Sequence, residues 1–519
     1  MTTRRDLLGR IRDQIRWDIV VIGGGATGLG TAVDSASRGY STLLLEADDF
    51  ARGTSSRSTK LIHGGVRYLA QGNLGLVREA LHERGVLLRN APHLVHRMDF
   101  LVPAYSLGEL AYYGVGLKAY DLLALGSSLG GSRPVGRREA LRLAPTLSPR
   151  RVHGGIVYAD GQFDDARFAI ALVRTLLGLG GVALNGVSVA GLVKEGGKVA
   201  GVEAVDGETG ETFRVFAKAV VNATGVEADT LRGVDEPRAS RSMAPSRGSH
   251  VVLDRSFLPG DSAVMIPKTD DGRVLFAIPW RGKVLLGTTD TPVDQTVREP
   301  RPSAAEVGYL LDHASRYFAR KLTADDIRST FAGLRPLLGK GGEGRTASLS
   351  REHAVFVSDS GLVTIAGGKW TTYRRMGQDA VDRAAGVAGF PLRESRTQSL
   401  RLHGWAEDRV EGPFTTYGSD APELQKLVAE NPEWGEPIHP ALPDLKVEVI
   451  WAVRHELARS VEDILARRTR GLFLDAKASI EAAPAVASLL AGELGFDEGW
   501  EGAQVESFRD LANGYLPRL

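Results

Sequence analysis

Residues 18–28 read Asp18-Ile19-Val20-Val21-Ile22-Gly23-Gly24-Gly25-Ala26-Thr27-Gly28, and this stretch decides the fold. Asp18 to Ile22 is an apolar run of the length of a buried strand. A helix of small residues is expected from about Ala26 to Arg38, with Gly39 placed to stop it. Ser41 to Leu45 reads as a second strand that ends at Glu46. Together these make a βαβ unit of about 30 residues. Gly23, Gly25 and Gly28 form G-x-G-x-x-G between strand and helix. The first glycine permits the tight turn, the second admits a pyrophosphate against the backbone, and the third lets helix and strand pack closely. The helix N-terminus offers N–H groups and a positive dipole end to phosphate, so Ala26 and Thr27 join the expected dinucleotide contacts. Glu46 stands where a carboxylate accepts hydrogen bonds from ribose hydroxyls and repels a 2′-phosphate. The unit alone does not separate NAD from FAD.

Outward from this unit, composition sets bounds. The chain has 519 residues, which at about 150 residues per domain suggests three domains. Apolar residues make up 43% and charged residues 24%, as in folded globular protein. Lys+Arg is 64 and Asp+Glu is 63, a balance that does not point to nucleic acid. Cys is 0, which excludes disulfides, thiolate metal sites, iron–sulfur clusters, thiol catalysis and a cysteinyl flavin. No metal site is expected. No apolar run reaches the ~18 residues of a membrane span, and the N-terminus lacks the apolar core of a secretion signal.

The stretch from Ala51 to Gln71 is rich in Ser, Thr, Gly and basic residues and reads as a functional loop running into a helix. Helical patterns cover 73–91, 304–321 and 369–388. Alternating strands are expected from 180 to 222, with turns at Glu195-Gly196-Gly197 and Asp206-Gly207, closing on Ala223-Thr224-Gly225. A second β-rich region runs from 247 to 290. Beyond about 395 the pattern is helical, with its strongest helix at Val447 to Arg468.

Ile22 to Gly39 and Gly367-Gly368-Lys369-Trp370-Thr371-Thr372-Tyr373-Arg374-Arg375-Met376-Gly377-Gln378-Asp379-Ala380 together resemble the two signatures of FAD-dependent, quinone-linked glycerol-3-phosphate dehydrogenases. The resemblance extends through Thr54 to Leu69, Gly248-Ser249-His250, Gly287-Thr288-Thr289-Asp290, Gly333 to Leu337, His455-Glu456 and Arg467-Arg468. Leu29 departs from the small residue usual one position past the third glycine. The extra leader before Asp18 is absent from some bacterial members.

The resemblance implies an α/β, two-dinucleotide-binding flavoprotein fold with an interleaved β-rich α+β cap, like glycine and D-amino-acid oxidases, plus a helical C-terminal domain. The expected division is a leader at 1–16, an FAD domain over 17–395 with the cap at roughly 90–150 and 240–335, and helices over 396–519. It implies oxidation of sn-glycerol 3-phosphate to dihydroxyacetone phosphate, with electrons passed to membrane quinone. The peroxide-forming oxidases of the same substrate often carry a central insertion for which this chain has little room.

A small phosphate dianion calls for guanidinium forks and ammonium groups. Arg67, Arg335, Arg351 and Lys369 fall in the resembling segments, with Tyr68 as a hydroxyl contact. This set is too basic for the single carboxylate of an amino acid. His250 is the first choice for the base that takes the alcohol proton. His63 is the second, unless it contacts the flavin or orients the loop. Arg335 and Lys369 are expected beside the reacting atoms. Thr54, Ser55, Ser58, Lys60, Leu61 and His63 are expected to wrap FAD, Thr224 and Gly225 to form a second short FAD motif, and Gly368, Lys369 and Thr371 to lie under the ring. Asp164 and Asp165 read as a helix cap.

A quinone reductase must reach lipid, so a peripheral position on the cytoplasmic face of the membrane is expected, and a homodimer is compatible with the family. The basic leader, with Leu7, Leu8, Ile11 and Ile15 at helical spacing, and the apolar 107–125 segment are the candidate surfaces. The plainer readings are a capping helix and a buried cap helix. Arg454, Arg459, Arg467, Arg468 and Arg470 read as a solvated face.

Overall fold

A computed structural model of the chain describes residues 3–66, 73–124, 129–339, 352–408 and 410–517. Two sheets organise it. In the first, Trp17–Ile22 lies between Thr42–Leu45 and Thr212–Asn222, both parallel to it. Val182–Leu184 extends one side, Val363–Gly367 and then His353–Val357 the other. Parallel strands need helical crossovers, which bury both faces. Accordingly Ala26–Ser37, Asp165–Gly178 and Tyr373–Val387 pack on this sheet. Its apolar core includes Ile19, Val21, Leu44, Val220 and Ile365. The hairpin Val187–Glu195 and Lys198–Asp206 continues antiparallel from Thr212–Asn222.

The second sheet draws on more chain than 90–150 and 240–335. Leu61–Ile62 and Gly154–Phe163 also belong to it, and Val95–Ala104 pairs along the whole of Gly154–Phe163. Next to its opposite edge, Ser246–Asp254 lies between Lys283–Gly287 and Ile327–Arg335. One face packs with the helices Arg137–Leu143 and Ala304–Ser315. The opposite face packs on C-terminal helices, Phe331 and Trp280 meeting Phe473, Val486 and Leu490 in one cluster.

The leader takes the plainer of its two readings, and two expectations are corrected. The leader helix, Arg4–Asp13, docks on the first sheet's domain: Leu7 and Ile11 are buried. Arg4 donates to Asp206 at 2.7 Å, and Arg10 donates to the Gly180 carbonyl at 2.6 Å. Leu8 is half-buried, and Ile15, past the end of the helix, is exposed. The helix expected at Val447 to Arg468 breaks after Glu456, where Leu457 turns left-handed (φ 58°) and Asp463–Arg468 forms a separate π-helical turn.

The break serves the second correction. Arg467, Arg468 and Arg470 are buried, not solvated. Arg468 donates to both carboxylate oxygens of Asp49, at 2.7 and 3.0 Å. Arg467 also donates to Asp49 and reaches Glu462 and Asp463. Arg454 and Arg459 lie nearer the surface and pair with Glu493 and Glu208. A buried guanidinium survives only with such partners, so these charges fasten the C-terminal helices to the loop that follows Glu46.

The candidate FAD and substrate cleft

A cleft of about 910 Å³ runs between the two sheets. One end is built by the glycine turn. A Cβ on Gly28 would meet the Gly23 carbonyl oxygen at 1.8 Å, and one on Gly23 (φ 107°) would meet the Ala223 carbonyl oxygen at 2.7 Å. Gly28 therefore packs helix to strand and does not face the cleft, whereas Gly23, Gly25, Ala26 and Thr27 line it. Ser55 accepts from the Ala26 N–H at 2.9 Å and fixes the loop against the helix start. The Glu46 carboxylate lines the same end and accepts from the N–H groups of Gly24 and Asp48. Burial pushes its carboxyl up, against those two bonds. Thr224 and Gly225 face Glu46's end across the turn. An open glycine cradle, a helix N-terminus whose cap residue is Gly25 and a buried carboxylate fit the diphosphate and ribose of FAD.

The loop Thr54–Leu61 forms one wall. Thr54 donates to the Leu334 carbonyl at 2.5 Å, and Ser58, Leu61 and His63 line the cleft. Lys60 does not. Its side chain is fully buried, donating to Asp165 at 2.7 Å and to the Ser56 carbonyl at 2.8 Å. Trp280, Phe331 and Phe473 surround the ammonium. Burial pulls its pKa down to about 7, with Asp165 opposing that shift. The Lys60 side chain is thus a core group and does not line the cleft. Asp164 caps Asp165–Gly178 by accepting from the Arg167 N–H, as expected, and Asp165 collects the loop's charges and hydroxyls.

At the far end, Gly367 and Gly368 both take left-handed φ, 80° and 76°, and swing Lys369 and Thr371 under the cleft. Trp370 donates to the Ser55 carbonyl at 2.8 Å and ties this turn to the opposite wall. Arg335 lies over Gly248, where an added Cβ would come within 2.5 Å of the guanidinium. It donates to the Thr289 carbonyl at 2.9 Å and pairs with Asp290 at 3.3 Å. His250 completes this end. Its ring stacks on Phe331, centroids 4.8 Å apart. Burial, then Lys60 and Arg335, hold its pKa well below 6.5, so the ring is neutral near pH 7.

The structure thus brings His250, Arg335, Lys369, His63, Gly368 and Thr371 into the lining of one cleft. Arg67, Tyr68 and Arg351 lie outside the described residues. Sequence reasoning passed over Ala190, Leu231 and Val234, which line the Glu46 end. They come from the Val187–Glu195 hairpin and the helix Ala228–Asp235, and no local motif marks them. Among the described residues no group of His, Asp or Glu could hold a metal ion.

Comparison with known proteins bears on this arrangement. The FAD dependent oxidoreductase family matches residues 18–374, and the C-terminal domain of alpha-glycerophosphate oxidase matches 362–500. The human mitochondrial glycerol-3-phosphate dehydrogenase is 38% identical over 98% of this chain and 74% of its own length. The Arabidopsis thaliana mitochondrial enzyme of that name is 37% identical over 95% of this chain and 85% of its own. This chain belongs to the FAD-dependent glycerol-3-phosphate dehydrogenase family. The glycerol-3-phosphate dehydrogenase from Bacillus halodurans, solved with FAD, superposes with a TM-score of 0.82 at 31% identity, covering 99% of this chain and 98% of that one. Glycine oxidase from Geobacillus kaustophilus shares the fold alone, at TM-score 0.53 and 21% identity over 76% of this chain and all of its own. The protein is accordingly an FAD-dependent oxidoreductase with an appended helical domain.

Proposed function

We propose that the enzyme oxidises sn-glycerol 3-phosphate to dihydroxyacetone phosphate and passes the electrons to a membrane quinone. The observation that carries this reading is that two cations, Arg335 and Lys369, and a buried imidazole, His250, line the same cleft as the glycine turn and Glu46. FAD, when bound, supplies the acceptor for the hydride leaving C2. Arg335 and Lys369 bind the phosphate dianion, joined by Arg67, Tyr68 and Arg351. His250 takes the proton of the C2 hydroxyl, leaving the ketone. A bound dianion adds negative charge beside the ring and raises its proton affinity toward the working range. His63 lines the cleft beside Thr371, whose hydroxyl donates to the His63 carbonyl at 3.4 Å.

The enzyme meets the cytoplasmic face of the membrane peripherally. Among the described residues no helix is long and apolar enough to cross a bilayer. The helix Leu107–Leu123 supports surface docking. Leu117 and Tyr120 anchor it, while Leu107, Tyr112, Val115 and Leu122 are 67–77% exposed. The adjoining Arg133–Leu143 stretch exposes Arg133, Arg137, Arg138 and Arg142 beside the lone carboxylate Glu139. An apolar stripe with a cationic border fits an anionic lipid surface.

The test is anaerobic mixing of the purified flavoprotein with glycerol 3-phosphate while the visible flavin band is followed. Bleaching supports the substrate and the reductive half-reaction. Reoxidation by a quinone analogue faster than by air supports the dehydrogenase. Equal or faster reoxidation by air, with peroxide formed, gives the oxidase reading instead. A flavin that does not bleach overturns the phosphate-binding role of Arg335 and Lys369.

A further inference from the structure

One segment of the cap crosses to the FAD domain. It joins the short strand Thr291–Pro292, paired within the second sheet, to the helix Ala304–Ser315. Thr296, Val297, Arg298 and Pro300 line the cleft. Their contacts place the segment at the ribose end. Arg298 pairs with Asp48 at 3.3 Å, and the Asp48 N–H donates to the Glu46 carboxylate at 2.9 Å. Val297 and the Arg298 side chain are more than half exposed, so the segment has the cleft on one side and solvent on the other.

Both ends of the segment are pinned to one carboxylate. The Thr291 hydroxyl donates to Glu306 at 2.7 Å, and the Ser303 N–H donates to its second oxygen at 2.9 Å. The residues between them form a compact surface loop with its ends held together, so any swing is confined to its middle. The middle is held by a second contact. Arg57, from the Thr54–Leu61 loop, donates to both oxygens of Glu299, at 2.8 and 2.7 Å. Tyr515, from the C-terminal helical domain, donates to the same carboxylate at 2.8 Å. Burial opposes ionisation of Glu299, yet Arg57 outweighs it and holds the carboxyl below its ordinary 4.5. The Arg57 and Glu299 side chains are 3% and 18% exposed, against 72% for Arg298. A bidentate pair shielded from water holds more strongly than a screened surface contact.

We infer that residues 296–300 are a strap that shuts FAD into the cleft, and that the Arg57–Glu299 pair is its latch. FAD with its ribose at Glu46 lies behind the strap. It enters and leaves when the strap swings out, which requires the latch and the Arg298–Asp48 contact to part. The latch joins cap, FAD domain and helical domain at one carboxylate, so it closes only on the assembled molecule. Glu299 does not line the cleft, so it governs passage without touching the cofactor.

That distinction is measurable. A group in contact with FAD changes the release rate alone. A latch changes release and uptake together and leaves the affinity nearly as it was. Holoenzyme carrying radiolabelled FAD is chased with excess unlabelled FAD to give the release rate. Stopped-flow quenching of FAD fluorescence by the apoprotein gives the uptake rate. Neither readout uses substrate, so the result is independent of the glycerol 3-phosphate reading.

Glu299→Gln keeps the shape and removes the charge. It should release FAD about tenfold faster and take it up faster as well, with Kd changed less than about threefold, the scale of one charge-assisted hydrogen bond acting on passage alone. Arg298→Glu repels Asp48 at the exposed edge and leaves the buried pair intact. It should speed release about threefold, as for a surface pair. Release and uptake at wild-type rates in E299Q overturn the latch, and wild-type rates in both variants overturn the strap as well. Faster release from E299Q with unchanged uptake also overturns the latch, since Glu299 would then shape the bound site and not its entrance. If E299Q does not fold, R298E decides: wild-type exchange in that variant overturns the strap.

Discussion

Arg335 and Arg468 carry the same side chain and meet opposite surroundings. Arg468 is fully buried, and its guanidinium is spent on both oxygens of Asp49 and on the Glu456 carbonyl. Arg335 is one-fifth exposed at the mouth of a cleft, held to Asp290 by a looser 3.3 Å contact. Near Arg468 the carboxylates Asp49, Glu456, Glu462 and Asp463 meet Arg467 and Arg468, and Glu456 and Glu462 also pair with Arg167 and Arg52. Near Arg335 and Lys369 the cations gather on a cleft wall that also holds a neutral histidine. A guanidinium enclosed by carboxylates fastens protein to protein, and one that borders open volume is placed to receive an anion from solution.

The comparison can be broken at its strongest point first. Arg468→Ala should destabilise the fold by about 3–5 kcal/mol, because it leaves Asp49 buried without its bidentate partner. Thermal unfolding of the flavoprotein reads this, and a change under about 1 kcal/mol would show that Arg467 alone neutralises Asp49.

The same network should show in acid. Burial opposes ionisation of Asp49, yet Arg468 and Arg467 outweigh it and hold the carboxyl well below its ordinary 3.8. A carboxyl depressed in the folded chain contributes its full stability above the unfolded value and loses it as pH falls through and below 3.8. Asp49→Asn should therefore lower stability at neutral pH and flatten the acid decline. Equal slopes for the two proteins in denaturant titrations at several pH values would contradict this.

On the other side, Arg335→Ala should leave unfolding little changed and cut kcat/KM for glycerol 3-phosphate by about 2 kcal/mol or more, as expected for loss of a charged contact. Steady-state kinetics at matched flavin content checks it. A large stability loss with unaltered kinetics would move Arg335 into the same class as Arg468.

The smallest effect belongs to the exposed helix. Val115→Ser should weaken binding to anionic vesicles by about 1 kcal/mol, the order of magnitude for one partly inserted aliphatic side chain. Flavin reduction in solution should be unchanged. Co-sedimentation with vesicles measures it, and undiminished binding would show that Leu107–Leu123 does not meet the lipid.

Much of the site was legible because its signals are local. Gly23, Gly25 and Gly28 report backbone approach within six residues, and Gly367-Gly368 reports a left-handed turn beside Lys369. These demands are met by the chain's own neighbours, so a single sequence reveals them. The burial of the Lys60 ammonium was not legible, for the opposite reason. Lys60 sits among loop residues that do line the cleft, but its left-handed backbone (φ 62°) turns its ammonium to Asp165, 105 positions away. The helix expected at Val447 to Arg468 failed similarly. Its apolar period is continuous, and only the need to bring Arg467 and Arg468 to Asp49 shows why it breaks at Leu457.

By itself, the sequence determined the βαβ unit, the phosphate-binding turn, the family resemblance, and that thiol, disulfide and iron–sulfur chemistry are closed to a chain without cysteine. Those follow from short-range periodicity, backbone sterics and side-chain inventory. The tertiary structure alone decided which arginines border the cleft and which are buried, that the leader packs on protein, and that Thr59 faces His250 across 191 positions. The physical reason is that the role of a charge or a proton is set by what lies within a few ångströms of it in space. For this chain those partners come from elements hundreds of residues apart.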